Sequence, residues 1–443
     1  MTTSERTAYQ GSLILTANHA NGTDSWETGL NNNVLVLGCS GGGKTRHHLI
    51  PNLLQAQGSY IVLDSKGALF EQLADYLMYR GYVVDRLDFT GGRSTLGYDP
   101  LDHVRRGEDG APNPQDVITI AQAICPQDSH RSDPFWSIAS ANYLSAYIAY
   151  VLEALPPEEQ NMSSVIRVFE EGCEGHADQL FRQLEAKRGR TFAGSLYKRA
   201  KSTAGAEKMH ASIMGIVAAH LLPFGSLAAQ GCFENPRRVD FAEFSRTRRV
   251  LFVTLSDLDH SMAGATSLFV QQAFTCLCAY ADRCPGGRLP VPVRFMLDDF
   301  ANLNLPHIDD VMAVIRSREI SCTIVCQTVS QLEARYGKAQ ANAIIGNCDT
   351  QLVLAFQDVE TASYFALRAN KPASTLLETP AGKWWLFVRG HRGVLDDAYD
   401  VEIHPSYGVL KELGDFVVPC WDEDDPFPWD EFPEVGLDDG MAA

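Results

Sequence analysis

Val34-Leu35-Val36-Leu37 followed by Gly38-Cys39-Ser40-Gly41-Gly42-Gly43-Lys44-Thr45 is the stretch that decides the fold of this 443-residue chain. Four apolar residues predict a buried strand. The glycines Gly38, Gly41, Gly42 and Gly43 free the backbone to turn several N–H groups inward around an anion. Lys44 then brings a point charge suited to β- and γ-phosphates, Thr45 a hydroxyl suited to Mg²⁺, and the helix expected over 46–54 the partial positive charge of its N-terminus. The spacing, placed between a strand and a helix, reads as a nucleotide phosphate loop spanning Gly38, Cys39, Ser40, Gly41, Gly42, Gly43, Lys44 and Thr45. The alternative, a glycine-rich surface turn, does not require that context.

Outward from the loop, strand and helix alternate. Residues 59–63 read as a strand ending at Asp64, 70–80 as a helix stopped by Gly81, and 82–89 as a strand. Apolar strands alternating with helices predict an α/β fold with a mostly parallel sheet covered on both faces. From Pro112 to Gln230 the strand signal disappears, and helices are expected over 137–155, 163–171, 176–187 and 205–222. Strands return at 249–255, 293–297, 321–326, 351–356 and 383–388. The resulting division is a nucleotide-binding unit over 1–111, an all-α insertion over 112–232, a second nucleotide-binding part over 233–410 and an acidic, disordered tail over 411–443.

The strand 293–297 ends in Asp298-Asp299. A carboxylate delivered to the C-terminal end of a parallel strand lies where such sheets bind ligands. Asp298 is expected to hold Mg²⁺ through water, and Asp299 to orient or deprotonate an attacking water. Two acids at a strand end also suit a helix-capping turn; the phosphate loop upstream favours the catalytic reading. The next strand ends at Gln327, placed to contact a γ-phosphate or to cap the strand end, and Arg316 between the two strands is positioned for presentation to a neighbouring subunit's phosphate, or for pairing with Glu319.

Composition sets outer limits. With 45% hydrophobic residues the chain can bury a large core, while no apolar run reaches membrane-spanning length and the N-terminus carries no hydrophobic signal region. Eleven cysteines without a C-x-x-C pair imply reduced thiols and a cytoplasmic location, and no zinc-ligand spacing occurs. His47 and His48 are expected on a helix surface. The net charge of −18 excludes a uniformly basic nucleic-acid coat, but residues 421–443 hold nine acidic and no basic residues, leaving −9 for the remainder. Two basic stretches are candidates for DNA-backbone contact: Arg182, Lys187, Arg188, Arg190, Lys198, Arg199 and Lys201, and Arg237, Arg238, Arg246, Arg248 and Arg249. A solvated helix face is the competing reading. Trp421, Phe427, Trp429 and Phe432 within the acidic tail suit a docking motif.

Further segments extend the pattern: Thr28-Gly29-Leu30-Asn31-Asn32-Asn33 before the loop, Ile50-Pro51-Asn52-Leu53 after it, Asp64-Ser65-Lys66-Gly67, Asp133-Pro134-Phe135-Trp136, Leu297-Asp298-Asp299-Phe300-Ala301-Asn302, Arg316-Ser317-Arg318, Gln327-Thr328-Val329-Ser330-Gln331-Leu332, Tyr336-Gly337 and Gly346-Asn347-Cys348. With them, roughly residues 11–410 resemble the conjugative coupling proteins of type IV secretion, the TraG and TraD relatives, most closely those of Gram-positive mobile elements. The resemblance implies a RecA-like α/β domain with an all-helical insertion, homo-hexameric rings, ATP and Mg²⁺, and delivery of relaxase-bound DNA to a secretion channel. It also implies Lys44 and Thr45 in the loop, Asp298 and Asp299 as acidic pair, Gln327 as sensor and Arg316 as arginine finger. Three departures accompany it. Asp299 stands where relatives usually have Glu, Ala68 where they usually have Glu, and the usual N-terminal membrane helices are absent, so a separate membrane partner and a peripheral position at the cytoplasmic face of the membrane are expected. A nucleotide-binding docking platform with weak hydrolysis, and a small-molecule kinase, stay open as alternatives.

Overall fold

The computed structural model describes residues 11–126, 133–203, 207–226, 231–256, 258–259 and 261–414. Of the expected tail, residues 411–414 are not disordered but end a helix, Tyr407–Gly414, that buries Leu410 and Leu413, while the remainder and its aromatics fall outside the described residues. A short antiparallel hairpin, β1 (Ser12–Ile14) and β2 (Ala20–Gly22), precedes β3 (Val34–Leu37), the strand that feeds the phosphate loop. Helix α1 (Ile50–Leu54), β4 (Ser59–Asp64), α2 (Ala68–Tyr79) and β5 (Val83–Asp88) follow. After the helical stretch come β6 (Arg249–Thr254), the long helix Ala263–Ala281, β7 (Val293–Leu297), β8 (Ile320–Cys326), β9 (Thr350–Val353), β10 (Lys383–Val388) and β11 (Val394–Asp397).

Nine strands form one sheet in the order β11-β10-β9-β3-β8-β7-β4-β6-β5. Pairings from β9 to β5 are parallel, and β10 and β11 close one edge antiparallel. Alternate residues of its central strands are buried against different layers, so both faces of the sheet are covered. Leu35, Leu37, Ile61, Leu63, Leu251, Val253, Phe295, Leu297 and Ile324 belong to one apolar core, which continues into the helical stretch. Val34, Val36, Tyr60, Val62, Val250, Phe252, Met296 and Val325 belong to the other, beneath α1 and α2. This period of two, apolar on both faces, is what a parallel strand covered by helices requires.

Between β5 and β6 the described residues include six helices of ten or more residues: α3 (Pro114–Ile124), α4 (Pro134–Ala154), α5 (Met162–Glu171), α6 (Ala177–Arg188), α7 (Phe192–Thr203) and α8 (Glu207–Leu221). Helix α4 is apolar nearly all round because its neighbours surround it: Tyr143, Tyr147, Ile148 and Val151 are each 0% exposed. No helix among the described residues is long and apolar enough to cross a membrane.

Two further sequence expectations are corrected. β1, β2 and β11 were not foreseen, since strands of three or four residues carry too little periodicity. His48 is not on a helix surface. Residues 45–49 form a π-turn ahead of α1, closed by the Ile50 N–H donating to the Thr45 carbonyl, and everything from His48 to Leu54 is buried between the sheet and β1. Burial, reinforced by the Arg294 guanidinium, pushes the His48 imidazole down to about 3. Asn52 fixes this layer by accepting from the Ile14 N–H (2.8 Å) and donating to the carbonyls of Ile14 (2.9 Å) and His48 (2.8 Å).

Candidate nucleotide site

β3, β4, β6, β7 and β8 all end at one edge of the sheet, with Leu37 opposite Cys326 and Asp64 opposite Thr254. The phosphate loop leaves β3 there. Its first turn is tied to the neighbouring strands, with the Gly38 N–H donating to the Cys326 carbonyl (3.3 Å) and the Cys39 N–H to the Ala355 carbonyl (3.4 Å). A side chain at position 38 would collide with Leu354, since a Cβ there would lie 2.6 Å from the Leu354 Cβ. Gly43 is held at φ +83°, with the His47 ring 2.3 Å from where a Cβ would sit. The His47 ring itself is anchored through Nδ1 to the Tyr399 carbonyl (2.7 Å). Within this path the N–H groups of Ser40, Gly41, Gly43 and Lys44 donate to no backbone carbonyl among the described residues. Grouped unpaired N–H donors ahead of a helix form an anion nest.

Lys44 closes over its own loop, its ammonium donating to the carbonyls of Gly38 (2.7 Å) and Cys39 (2.9 Å). Thr45 Oγ1 lies 3.4 Å from Asp298 Oδ2, a pair separated by 253 residues in sequence. Adjacent oxygen ligands of an octahedral Mg²⁺, at 2.0–2.1 Å from the metal, lie about 3 Å apart. The hydroxyl and carboxylate therefore fit a Mg²⁺ with waters completing its shell. Asp299 is in the left-handed region (φ 49°, ψ 39°), and its N–H folds back onto Asp298 Oδ1 at 3.0 Å. Aspartate tolerates this conformation better than most residues, and isolated left-handed residues cluster at functional sites.

Burial, then repulsion from Asp299, pushes the Asp298 carboxyl up to about 6. A carboxyl raised in the folded protein binds its proton more tightly than in the unfolded chain. Between about pH 4 and pH 6 the native state holds the extra proton, so this group's contribution to stability falls as the pH rises through that window. Asp298→Asn is accordingly expected to stabilise the nucleotide-free protein at neutral pH by about 1–2 kcal/mol, and to abolish Mg²⁺-dependent turnover. Scanning calorimetry at pH 7 checks the first effect; a lower melting temperature for the variant would refute it.

Gln327 follows directly on the Cys326 carbonyl that receives Gly38, so it too is at this edge, exposed, with its N–H donating to the Gln331 side chain (3.1 Å). Arg316 is elsewhere. It precedes β8 at the opposite edge of the sheet, where Nη2 donates to the Ser25 carbonyl (2.6 Å). Asp298, Asp299 and Gln327 thus converge with the loop, and Arg316 does not.

A cleft beside the acidic pair is lined by Ser65, Ser256, Asp259, Thr266, Asp298 and Asp299. Ser65 lies in the Asp64–Gly67 segment already marked in the sequence, whereas Ser256, Asp259 and Thr266 were not singled out; the signal for Ser256 was its position just after the end of β6. Of the two basic stretches, the second is consumed locally. Arg237 and Arg249 meet the buried Asp85 (2.7 and 3.5 Å), Arg246 meets Glu243 (2.7 Å), Arg238 lies 3.7 Å from Asp102, and Arg248 packs over Tyr82. In the first, Lys198 and Lys201 pair with Glu185 and Asp178, whereas Arg182, Lys187, Arg188, Arg190 and Arg199 are exposed and form no ion pair among the described residues. No cluster of three or more metal-ligating residues occurs among the described residues, and the ten cysteines there are all free.

Residues 3–369 match the family described as Type IV secretory system Conjugative DNA transfer. The chain belongs to that family. No curated protein matches it in sequence. Among solved structures, this conjugative DNA-transfer protein is similar to the bacterial conjugative coupling protein TrwBΔN70 in complex with sulphate, at 15% identity and a TM-score of 0.64 over 89% of this chain and 91% of that one. The plasmid coupling protein TrwB in complex with ADP and Mg²⁺ matches at 15% identity and 0.62, again over 89% and 91%. VirB4 of Thermoanaerobacter pseudethanolicus matches at 14% identity and 0.54, over 88% of this chain and 96% of that one. At such identities the likeness concerns the fold: the RecA-like α/β architecture expected from the sequence is the one observed.

Proposed function

We propose that this family member is a Mg²⁺-dependent ATPase that works as a homo-hexamer, recruits relaxase-bound DNA and drives it to a type IV secretion channel. The observation that carries the reading is the 3.4 Å approach of Thr45 Oγ1 to Asp298 Oδ2 beneath a loop of unpaired N–H groups. The TrwB structures obtained with ADP and Mg²⁺ and with ADPNP support the choice of nucleotide and metal.

In this reading Thr45 and Asp298 hold Mg²⁺, which would neutralise charge on the β- and γ-phosphates. The loop N–H groups and Lys44 bind the phosphate oxygens. Asp299 orients a water whose oxygen bonds the γ-phosphorus as the bond to the β,γ-bridging oxygen breaks; the water's proton passes to the carboxylate, giving ADP and phosphate. Gln327 reads the γ-phosphate from the end of β8. Arg316 acts on the site of a neighbouring subunit, because the seven-residue β8 puts about 20 Å of sheet between it and its own loop. The 112–232 insertion contributes Arg182, Lys187, Arg188, Arg190 and Arg199 to the phosphate backbone of DNA, without sequence preference. The protein works at the cytoplasmic face of the membrane, beside the channel it feeds.

Steady-state ATP turnover with and without single- and double-stranded DNA tests the reading. Turnover is expected to rise with DNA, and Asp299→Asn to lower it roughly 10²–10³-fold, with nucleotide affinity kept. Tight nucleotide binding without turnover under every DNA condition would sink the motor and favour the docking platform that the short Asp299 side chain allows.

A further inference from the structure

Arg316 is held by something the nucleotide chemistry does not explain. The segment Asp24–Thr28 forms a tight turn at the N-terminal edge of the sheet: Asp24 Oδ1 accepts the N–H groups of Trp26 (2.8 Å) and Glu27 (3.3 Å), and the Asp24 carbonyl accepts both the N–H (3.0 Å) and the hydroxyl (2.9 Å) of Thr28. Ser25, only 3% exposed, offers its carbonyl to Arg316 Nη2 at 2.6 Å, while its own hydroxyl is buried without a hydrogen-bond partner. The next residue, Trp26, leaves 55% of its surface exposed, unusual for an indole. Two guanidinium groups share that ring, Arg288 at 4.9 Å and Arg316 at 5.9 Å from its centroid.

These contacts restrain a side chain that is otherwise among the most mobile. A free arginine side chain samples many rotamers, and holding it in one geometry removes that entropic cost from the step in which it acts. The indole face attracts the cation without occupying its N–H groups, and one carbonyl uses only Nη2, so the remaining donors stay available to an anion. The complementary surface is the opposite edge of another copy, where phosphate oxygens would lie on the loop.

We propose that the Asp24–Thr28 turn presents the Arg316 guanidinium to the nucleotide site of a neighbouring copy of this chain, with Trp26 as the positioning residue. The inference rests on the trans-acting reading of Arg316 above. Its test compares ATP turnover, with DNA, of the full chain carrying Trp26→Ala, Trp26→Phe, Arg316→Ala and the Trp26→Ala/Arg316→Ala pair. Trp26→Ala should lower kcat roughly tenfold with the KM for ATP unchanged, and Trp26→Phe should recover most of it. The double variant should be no slower than Arg316→Ala alone, since a residue acting through Arg316 has nothing left to position. Mixing Trp26→Ala chains with Lys44→Ala chains should raise turnover above either alone. An unchanged kcat in Trp26→Ala, a faster one (the indole then parks Arg316 rather than aims it), or a further loss in the double variant would each overturn the proposal. Should Arg316→Ala itself leave turnover intact, the trans-acting reading fails first.

Discussion

Lys44→Ala is expected to lower ATP turnover by roughly 10³-fold, the loss typical when a preorganised charge-stabilising donor is removed from a reaction centre. The reason lies in what the ammonium touches. Its two hydrogen bonds go to the carbonyls of Gly38 and Cys39, inside the loop, so the side chain is held where phosphate oxygens would meet the unpaired N–H groups. Those carbonyls can turn to water when the lysine is lost, so the fold should survive and circular dichroism should match the wild type. Lys44→Arg should fail almost as badly. The planar guanidinium is larger than the ammonium and cannot place a compact charge within a loop already closed around Gly43 and His47. Turnover and fluorescent-nucleotide binding measured together give the answer; activity within tenfold of wild type in Lys44→Ala would remove the loop from the mechanism.

Arg316→Ala is expected to cost 10³-fold or more in turnover, the scale of an arginine finger, and to be rescued in mixed rings. The register of the sheet makes the rescue a strict requirement. β3 and β8 run parallel with Val34 beside Thr323 and Leu37 beside Cys326, so the phosphate loop and Arg316 lie at opposite ends of the same two strands. An arginine there cannot serve its own nucleotide. When Arg316→Ala chains are mixed with Lys44→Ala chains, the first supply intact loops and the second intact fingers, and turnover should exceed that of either chain alone. Loss without rescue would return Arg316 to a purely local role, bonded to Ser25 and packed near Trp26.

Parts of this site were legible in the chain because they are local. β3, β7 and β10 follow their apolar runs closely, with the buried Arg294 inside β7 and Lys383 opening β10 as the polar positions, since strands packed in the sheet need mostly hydrophobic residues. The loop glycines, Lys44 and Thr45 follow from the same adjacency, and so do Asp298 and Asp299, which simply terminate β7. Four of the insertion's helices were legible too, because each runs for ten residues or more.

Other parts depend on which strands lie side by side. That β7 and β8 sit between β4 and β3 brings Asp298 to Thr45 across 253 residues, and no local pattern encodes a contact at that separation. The same long-range pairing buries His48 under β1 and sets Asp85 against Arg237 and Arg249, turning a basic stretch in the sequence into a neutralised cluster in space. By itself, then, the sequence determined the phosphate loop, its acidic partner and the parallel α/β plan, since each rests on neighbouring residues sharing one environment. Only the tertiary structure decided which charges remain available, why Asp298 holds its proton to about pH 6, and that Arg316 faces away from its own loop. These depend on sheet order and burial, which bring together groups hundreds of residues apart and remove water from some of them.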